Sequence, residues 1–141
     1  MNRQQAMARL IEDLLADVRD YGELRGVLEQ QFHAAVRHET VRLEQLAACI
    51  VTLVDTLDQR REDRLMLMYA LTGEDQPRNL DRILMQLPLA MRSKVEAQWQ
   101  ALESAVRECK ALNTRNCELI VEQNALMQRV LHGEEGLYVA N

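Results

Sequence analysis

Apolar residues recur at alternating spacings of four and three positions along the first 35 residues of the chain. The series is Met7, Ile11, Leu14, Val18, Tyr21, Arg25, Leu28, Phe32 and Ala35, in which Arg25 is the one charged member. This spacing places the whole series on one side of an α-helix, and its heptad-like repeat is typical of helices that pack at shallow angles. The pattern predicts a first long helix from Arg3 to Ala35.

The apolar series fails around His38 and restarts in a new register at Leu43. A single helix over residues 3–71 would be roughly 100 Å long at the usual rise per residue. We therefore expect a turn near residues 36–40 and a second helix after it. Gly73 ends this second helix, because glycine readily adopts the left-handed conformation that closes helices.

After a polar connection, the pattern predicts a short helix, Leu80 to Leu87, and a last long helix, Pro88 to His132, which Gly133 ends. We call the series of positions that a helix turns toward its neighbours its seam. The seam of the last helix is Val95, Trp99, Leu102, Val106, Cys109, Asn113, Asn116, Ile120, Gln123, Met127 and Val130. The predicted fold class is all-α: an up-and-down antiparallel helical bundle of coiled-coil type, with three long helices plus one short helix. Residues 1–141 form one domain, in which residues 133–141 are expected to be a mobile tail.

Net charge and hydropathy narrow the range of partners. The chain carries a net charge of −5 and has a pI of about 5.2. We do not expect it to bind nucleic acid, because such binding requires a basic face. The sequence has no long uncharged apolar run and no signal-peptide pattern, so we expect a cytoplasmic protein without a membrane-spanning helix.

Residues that could carry out chemistry are few and scattered. Cys49, Cys109 and Cys117 have no paired spacing, which favours reduced thiols that pack as small apolar side chains. The three histidines have no cysteine or carboxylate at metal-ligand spacing, and no phosphate-binding loop or nucleophile motif is present. We therefore expect no metal, no cofactor and no catalytic residue, and a binding protein rather than an enzyme.

Polar and flexible side chains allow more than one interpretation. Asn113 and Asn116 occupy seam positions, where they either fix the register of helix packing or contact a bound partner. Three arginines are expected on a solvated face with neighbouring acids: Arg60, Arg61 and Arg64. Five methionines are expected mainly in the core, with an adaptable binding surface as the alternative: Met66, Met68, Met85, Met91 and Met127.

The order of motifs in the second half of the chain resembles one protein family. After Leu71-Thr72-Gly73 come Trp99-x-x-Leu102, then Leu112-Asn113-x-x-Asn116-x-x-Leu119-Ile120, and a late Leu137-Tyr138. This order and spacing are similar to those of the FlgN family, the cytoplasmic chaperones of flagellar type III export. Cys117 departs from the family, which often has glycine after the second asparagine, so close helix packing at this position is in doubt.

The resemblance implies a function and a set of partners. FlgN-like proteins bind the hook–filament junction proteins FlgK and FlgL before export, keep them from assembling early, and deliver them to the export gate protein FlhA. The resemblance thus implies that the protein associates with a membrane only indirectly, through the export apparatus. Two other interpretations stay open: a structural helical protein that associates with itself, and a chaperone for a different secretion substrate.

The last helix is longer than the two helices that can cover it, so its apolar C-terminal part should protrude. The expected client-binding residues are Asn113, Asn116, Leu119, Ile120, Leu126, Met127, Val130 and Leu131. The expected docking segment for the export gate is the apolar triplet Leu137, Tyr138 and Val139. The alternatives are that this triplet folds back on the bundle, and that a second copy covers the protruding seam in a homo-oligomer.

Overall fold

The computed structural model describes residues 2–73, 81–85 and 87–139, and it describes the side chains of all of these except 81, 82 and 134–139. Within these residues the secondary structure is helical, without strands: α1 is Arg3–Val36, α2 is Thr40–Thr72, α3 is the single turn Asp81–Leu84, and α4 is Leu89–Val139. The all-α prediction with three long helices is confirmed. The predicted additional short helix is not, since only the turn α3 is present and Leu80 lies outside the described residues.

The ends of α1 and α2 show why the chain turns where it does. Asn2 caps α1 in a capping box: the Gln5 N–H donates to Asn2 Oδ1 at 2.8 Å, and the Asn2 N–H donates to Gln5 Oε1 at 3.0 Å. Between α1 and α2, His38 takes a left-handed conformation with φ 57°, which confirms the turn near residues 36–40. Gly73 closes α2 with φ 72°, as predicted.

α4 is longer than the sequence predicts. The expected end at Gly133 is wrong, because the helix continues to Val139. A glycine inside a helix costs only about 1 kcal/mol relative to alanine, so Gly133 does not by itself force an end. Residues 140–141 lie outside the described range, and the mobility of the tail 133–141 stays a prediction. No helix in the described ranges combines the length and apolar character needed to cross a membrane.

α1 is the central helix of the fold. It packs along α2 and along α4, whereas the backbones of α2 and α4 stay apart in the described part of the chain. Cys109, Asn116 and Gln123 of α4 each donate to a backbone carbonyl of α1 that lies 88 residues earlier. Because residue numbers rise together along both helices, α1 and α4 run parallel, and α2 runs antiparallel to α1.

The apolar core thins along the bundle. At the end that holds the N-termini of α1 and α4, one buried cluster draws on every helix: Ala6, Met7, Leu10, Leu14, Met68, Leu71, Ile83, Leu84, Leu87, Val95 and Leu102. The buried residues of the middle cluster are Leu24, Leu28, Leu57 and Cys109. Near the α1–α2 turn, the buried residues come from α1 and α2 only: Val27, Ala34 and Leu46. The apolar packing of α4 against the other helices therefore decreases from its N-terminus toward its C-terminus.

A buried ionic cluster lies between α1 and α2. Arg60 Nη1 is 2.8 Å from Asp17 Oδ1 and 2.8 Å from Asp20 Oδ2, and Arg64 binds the other carboxylate oxygen of Asp17. Asp17 and Arg64 are both buried. The predicted solvated face is thus wrong for Arg60 and Arg64, because their partners come from the opposite helix rather than from α2. Arg61 is exposed, as predicted.

Candidate functional site

α4 carries its seam beyond the end of α1. Of the three hydrogen bonds from α4 side chains to backbone carbonyls of α1, the last joins Gln123 to Ala35. The Gln123 side chain donates to the Ala35 carbonyl at 2.9 Å. α1 ends one residue later, at Val36. The next seam positions of α4, Met127 and Val130, therefore lie past α1. We call residues 124–139 the projecting end of α4; it is roughly 24 Å long at the usual rise per residue.

The projecting end displays an apolar stripe. Four of its side chains are exposed to between 46% and 59% of their full surface: Leu126, Met127, Val130 and Leu131. Their spacing of one and four residues places them on one side of the helix. Leu119 and Ile120 are half-buried and connect the stripe to the covered seam. This exposed apolar stripe makes the projecting end the candidate interaction site.

The two seam asparagines have different surroundings. Asn116 is fully buried, and its amide donates to the Leu28 carbonyl at 2.7 Å and to Gln31 Oε1 at 2.8 Å. These bonds tie α4 to α1 at one offset, so they favour the register interpretation for Asn116. Asn113 is exposed. Of the two asparagines, only Asn113 has a side chain that is accessible from solvent.

Arg115 fastens the same part of α4 to α1. Its guanidinium lies 3.9 Å from the centre of the Phe32 ring and 3.5 Å from the Glu29 carboxylate. It also donates to Asn116 Oδ1 at 3.2 Å. The sequence pattern does not single out Arg115, because only the offset between α1 and α4 determines which aromatic ring and which acid lie opposite it.

The expected docking segment lies at the far end of α4. The backbone of Leu137, Tyr138 and Val139 continues the helix. Their side chains lie outside the described residues. The role of the triplet in docking therefore stays a prediction.

The methionines are less buried than predicted. Met68 lies in the core, and the other four are exposed: Met66, Met85, Met91 and Met127. Met91 lines a groove of about 490 Å³ between the N-terminal turns of α1 and α4. Met127 lies on the projecting end. The groove and the apolar stripe are therefore separate surfaces at opposite ends of α4.

The cysteines are not equivalent. Cys109 is buried, and Cys49 is half-buried, as predicted, but Cys117 is exposed. Burial raises the pKa of the Cys109 thiol, and the nearby Glu108 carboxylate raises it further, while Arg25 opposes both effects. Cys109 is thus a neutral thiol at physiological pH and packs as a small apolar side chain. Because Cys117 is exposed, its side chain does not lie between α4 and another described helix, and it does not prevent close helix packing at this position.

A comparison with protein-family models matches residues 1–132 to the family described as FlgN protein. No curated protein and no solved structure matches the chain. The matched range includes α1, α2 and the apolar stripe of the projecting end, and it stops before the triplet Leu137–Val139. Because this match spans nearly the whole chain, the protein belongs to the FlgN family of flagellar export chaperones.

Proposed function

We propose that this protein is a cytoplasmic chaperone of flagellar type III export that binds the hook–filament junction proteins FlgK and FlgL. It prevents their early assembly and delivers them to the export gate protein FlhA, and it has no catalytic activity. Family membership supports the chaperone role. The observation that carries the choice of site is the apolar stripe of the projecting end, which has no partner within the described part of the chain.

A client helix takes the place that α1 leaves empty. Beyond Val36, the seam of α4 continues with the spacing that α1 covers over the preceding heptads. An amphipathic helix with apolar residues at the same spacing can lie on this seam. A client segment that is disordered when free loses conformational entropy on binding, which keeps the affinity moderate and allows release at the gate.

The proposed client contacts are the apolar side chains at this end of α4 together with one polar group: Asn113, Leu119, Ile120, Leu126, Met127, Val130 and Leu131. Asn116 contributes by holding α4 in register against α1, which determines how far the seam projects. The triplet Leu137–Val139 is proposed as a second, separable contact with FlhA.

The client site is tested with the double variant Leu126→Asp/Val130→Asp. We expect it to lose binding to purified FlgK and FlgL in isothermal titration calorimetry while its circular dichroism spectrum and melting temperature stay unchanged. The matched control is Val51→Asp/Met66→Asp, which places the same charges on two exposed apolar positions of α2. Equal loss of binding in both double variants would show that the effect is not specific to the projecting end.

The gate contact is tested by ending the chain after His132. The shortened protein should fold and bind FlgK and FlgL with unchanged affinity, but its complex should no longer bind the cytoplasmic domain of FlhA in a pull-down. If the shortened protein loses client binding, the tail belongs to the client site instead.

A second copy of the chain is the competing occupant of the projecting end. The same apolar stripe could pair with itself in a homo-oligomer. Sedimentation of the free protein decides between the two: a dimer that Leu126→Asp/Val130→Asp converts to a monomer would favour self-association, whereas a monomer in both forms leaves the stripe for the client.

A further inference from the structure

The interface between α1 and α4 changes in character along its length. From Val95 to Cys109, α4 contributes buried apolar side chains to two core clusters. From Asn113 to Gln123, it contributes no buried residue to any apolar cluster of the described chain. It is held there by the side-chain hydrogen bonds of Asn116 and Gln123 to α1 and by the surface contacts of Arg115. We call residues 113–123 the polar half of the interface.

The polar half is the easier half to open. A hydrogen bond in a protein contributes only about 1 kcal/mol net, because water replaces the partner when the bond breaks. Exposing a buried leucine or valine costs about 1.5–3 kcal/mol with no such replacement. Separation of α1 and α4 should therefore stop where the apolar layers begin, near Cys109.

α1 keeps its packing when the polar half opens. Near the turn, Val27, Ala34 and Leu46 form a cluster that draws on α1 and α2 alone. The turn itself is closed by backbone hydrogen bonds, among them the Glu39 N–H to the Ala34 carbonyl at 2.9 Å. The α1–α2 hairpin can therefore persist while the C-terminal half of α4 moves away.

The projecting end is too small to hold a client alone. With a helix diameter of about 10 Å, one side of a helix roughly 24 Å long presents a curved surface of only about 380 Å². A stable, specific interface requires about 800 Å² from each partner. Opening the polar half adds two faces to the projecting end, one on α4 and one on α1 around Gln31, Phe32 and Ala35. Leu28 stays packed in the middle cluster with Leu24, Leu57 and Cys109.

We propose that the client helix enters at the projecting end and displaces α1 from the polar half of α4. The client surface then includes residues 113–123 and the α1 face opposite them. This inference rests on the proposed function and adds to it a stretch of client site that is hidden in the free protein. Client side chains cover Leu119 and Ile120, which α1 leaves half-buried.

Opening in the free protein is measured by hydrogen exchange. An isolated helix of this length is only marginally stable in water, so separation from α1 exposes its amides. We expect the amides of residues 113–123 to exchange about tenfold faster than those of residues 95–109. Equal protection of the two stretches would overturn the proposal.

Displacement by the client is measured through binding rates with FlgK and FlgL. Asn116→Leu/Gln123→Leu replaces the polar layers with apolar ones, which strengthens the contact that the client must displace, and it should slow association about tenfold. Gln31→Ala removes an acceptor that holds Asn116 and should speed association several-fold, which tests the idea even if the double variant fails to fold. The control is Thr56→Leu, on the exposed side of α2 and outside the proposed client surface, with unchanged rates.

The outcomes separate this proposal from the proposed function. No binding of FlgK or FlgL by the unchanged protein would overturn both. Binding with equal association rates in all variants would overturn the displacement alone. Faster dissociation of Asn116→Leu/Gln123→Leu with unchanged association would mean that α4 need not separate from α1 before the client binds, and it too would contradict displacement.

Discussion

Two stretches of α4 share the same apolar character and meet opposite surroundings. Val95 and Leu102 are buried against the other helices, whereas Met127 and Val130 are exposed at the same kind of seam position. The residue types do not distinguish these stretches. The end of α1 at Val36 does, because it decides which seam residues have a partner. An apolar heptad position is thus buried or exposed according to where the neighbouring helix stops.

The largest expected effect on stability comes from comparing two single variants, each of which replaces one leucine of α4 with aspartate. Leu102→Asp puts an unpaired carboxylate into the apolar cluster and should reduce the free energy of unfolding by more than about 4 kcal/mol. Leu126→Asp, on the projecting end, should change it by less than about 0.5 kcal/mol. Urea denaturation followed by circular dichroism measures both. A large loss of stability in Leu126→Asp would show that the projecting end is part of the core.

Two arginines of α2 provide a second matched pair. Arg64→Ala leaves the buried Asp17 carboxylate with Arg60 as its remaining partner, and it should cost about 3 kcal/mol. Arg61→Ala removes an exposed arginine and should cost less than about 0.5 kcal/mol. Thermal unfolding curves of the two variants test the difference. Similar melting temperatures would mean that the ionic cluster contributes little to the fold.

The two seam asparagines allow the stability of a buried and an exposed position to be compared within a single turn of α4. Asn116→Ala leaves Gln31 and the Leu28 carbonyl without its amide and should destabilise by about 2 kcal/mol. Asn113→Ala should leave stability within about 0.5 kcal/mol of the original, because its side chain is exposed. Denaturation midpoints report both values. If Asn113→Ala is the more damaging change, the register assignment of the pair is reversed.

The smallest effect concerns Asp13, which is buried with no hydrogen-bond partner for Oδ2 in the described residues. Burial raises the pKa of its carboxyl above the ordinary 3.8, and attraction by Arg9 and Arg60 offsets this only in part. Because the pKa is higher in the folded state, ionisation opposes folding. This penalty is absent well below pH 3.8 and grows as the pH rises through the folded pKa.

Asp13→Asn should therefore be more stable than the original protein by about 1 kcal/mol at pH 7, and this advantage should disappear at pH 3. Urea midpoints at the two pH values measure the change. The control is Glu12→Gln, on the exposed side of α1, which should have little effect at either pH. An advantage for Asp13→Asn that persists at pH 3 would mean that packing, not ionisation, is responsible.

Part of the candidate site could be predicted from the sequence. The spacing of Leu126, Met127 and Val130 identified an apolar stripe, and the length of the last helix predicted that it would project. The environment of Asn116 could not be predicted, because Asn113 is an identical residue on the same seam. Only the offset of 88 residues places Leu28 and Gln31 around one of them.

By itself, the sequence determined the seams of the long helices, the turn near residues 36–40 and the end of α2 at Gly73. These features depend on local spacing and on the conformational preferences of a few residues. The tertiary structure alone decided that Arg64 is buried against Asp17 and where α1 leaves α4 uncovered. The continuation of α4 through Gly133 was also not predicted from the sequence. Contacts between helices depend on residues far apart in the chain, and a single glycine is too weak a signal to overrule the helix around it.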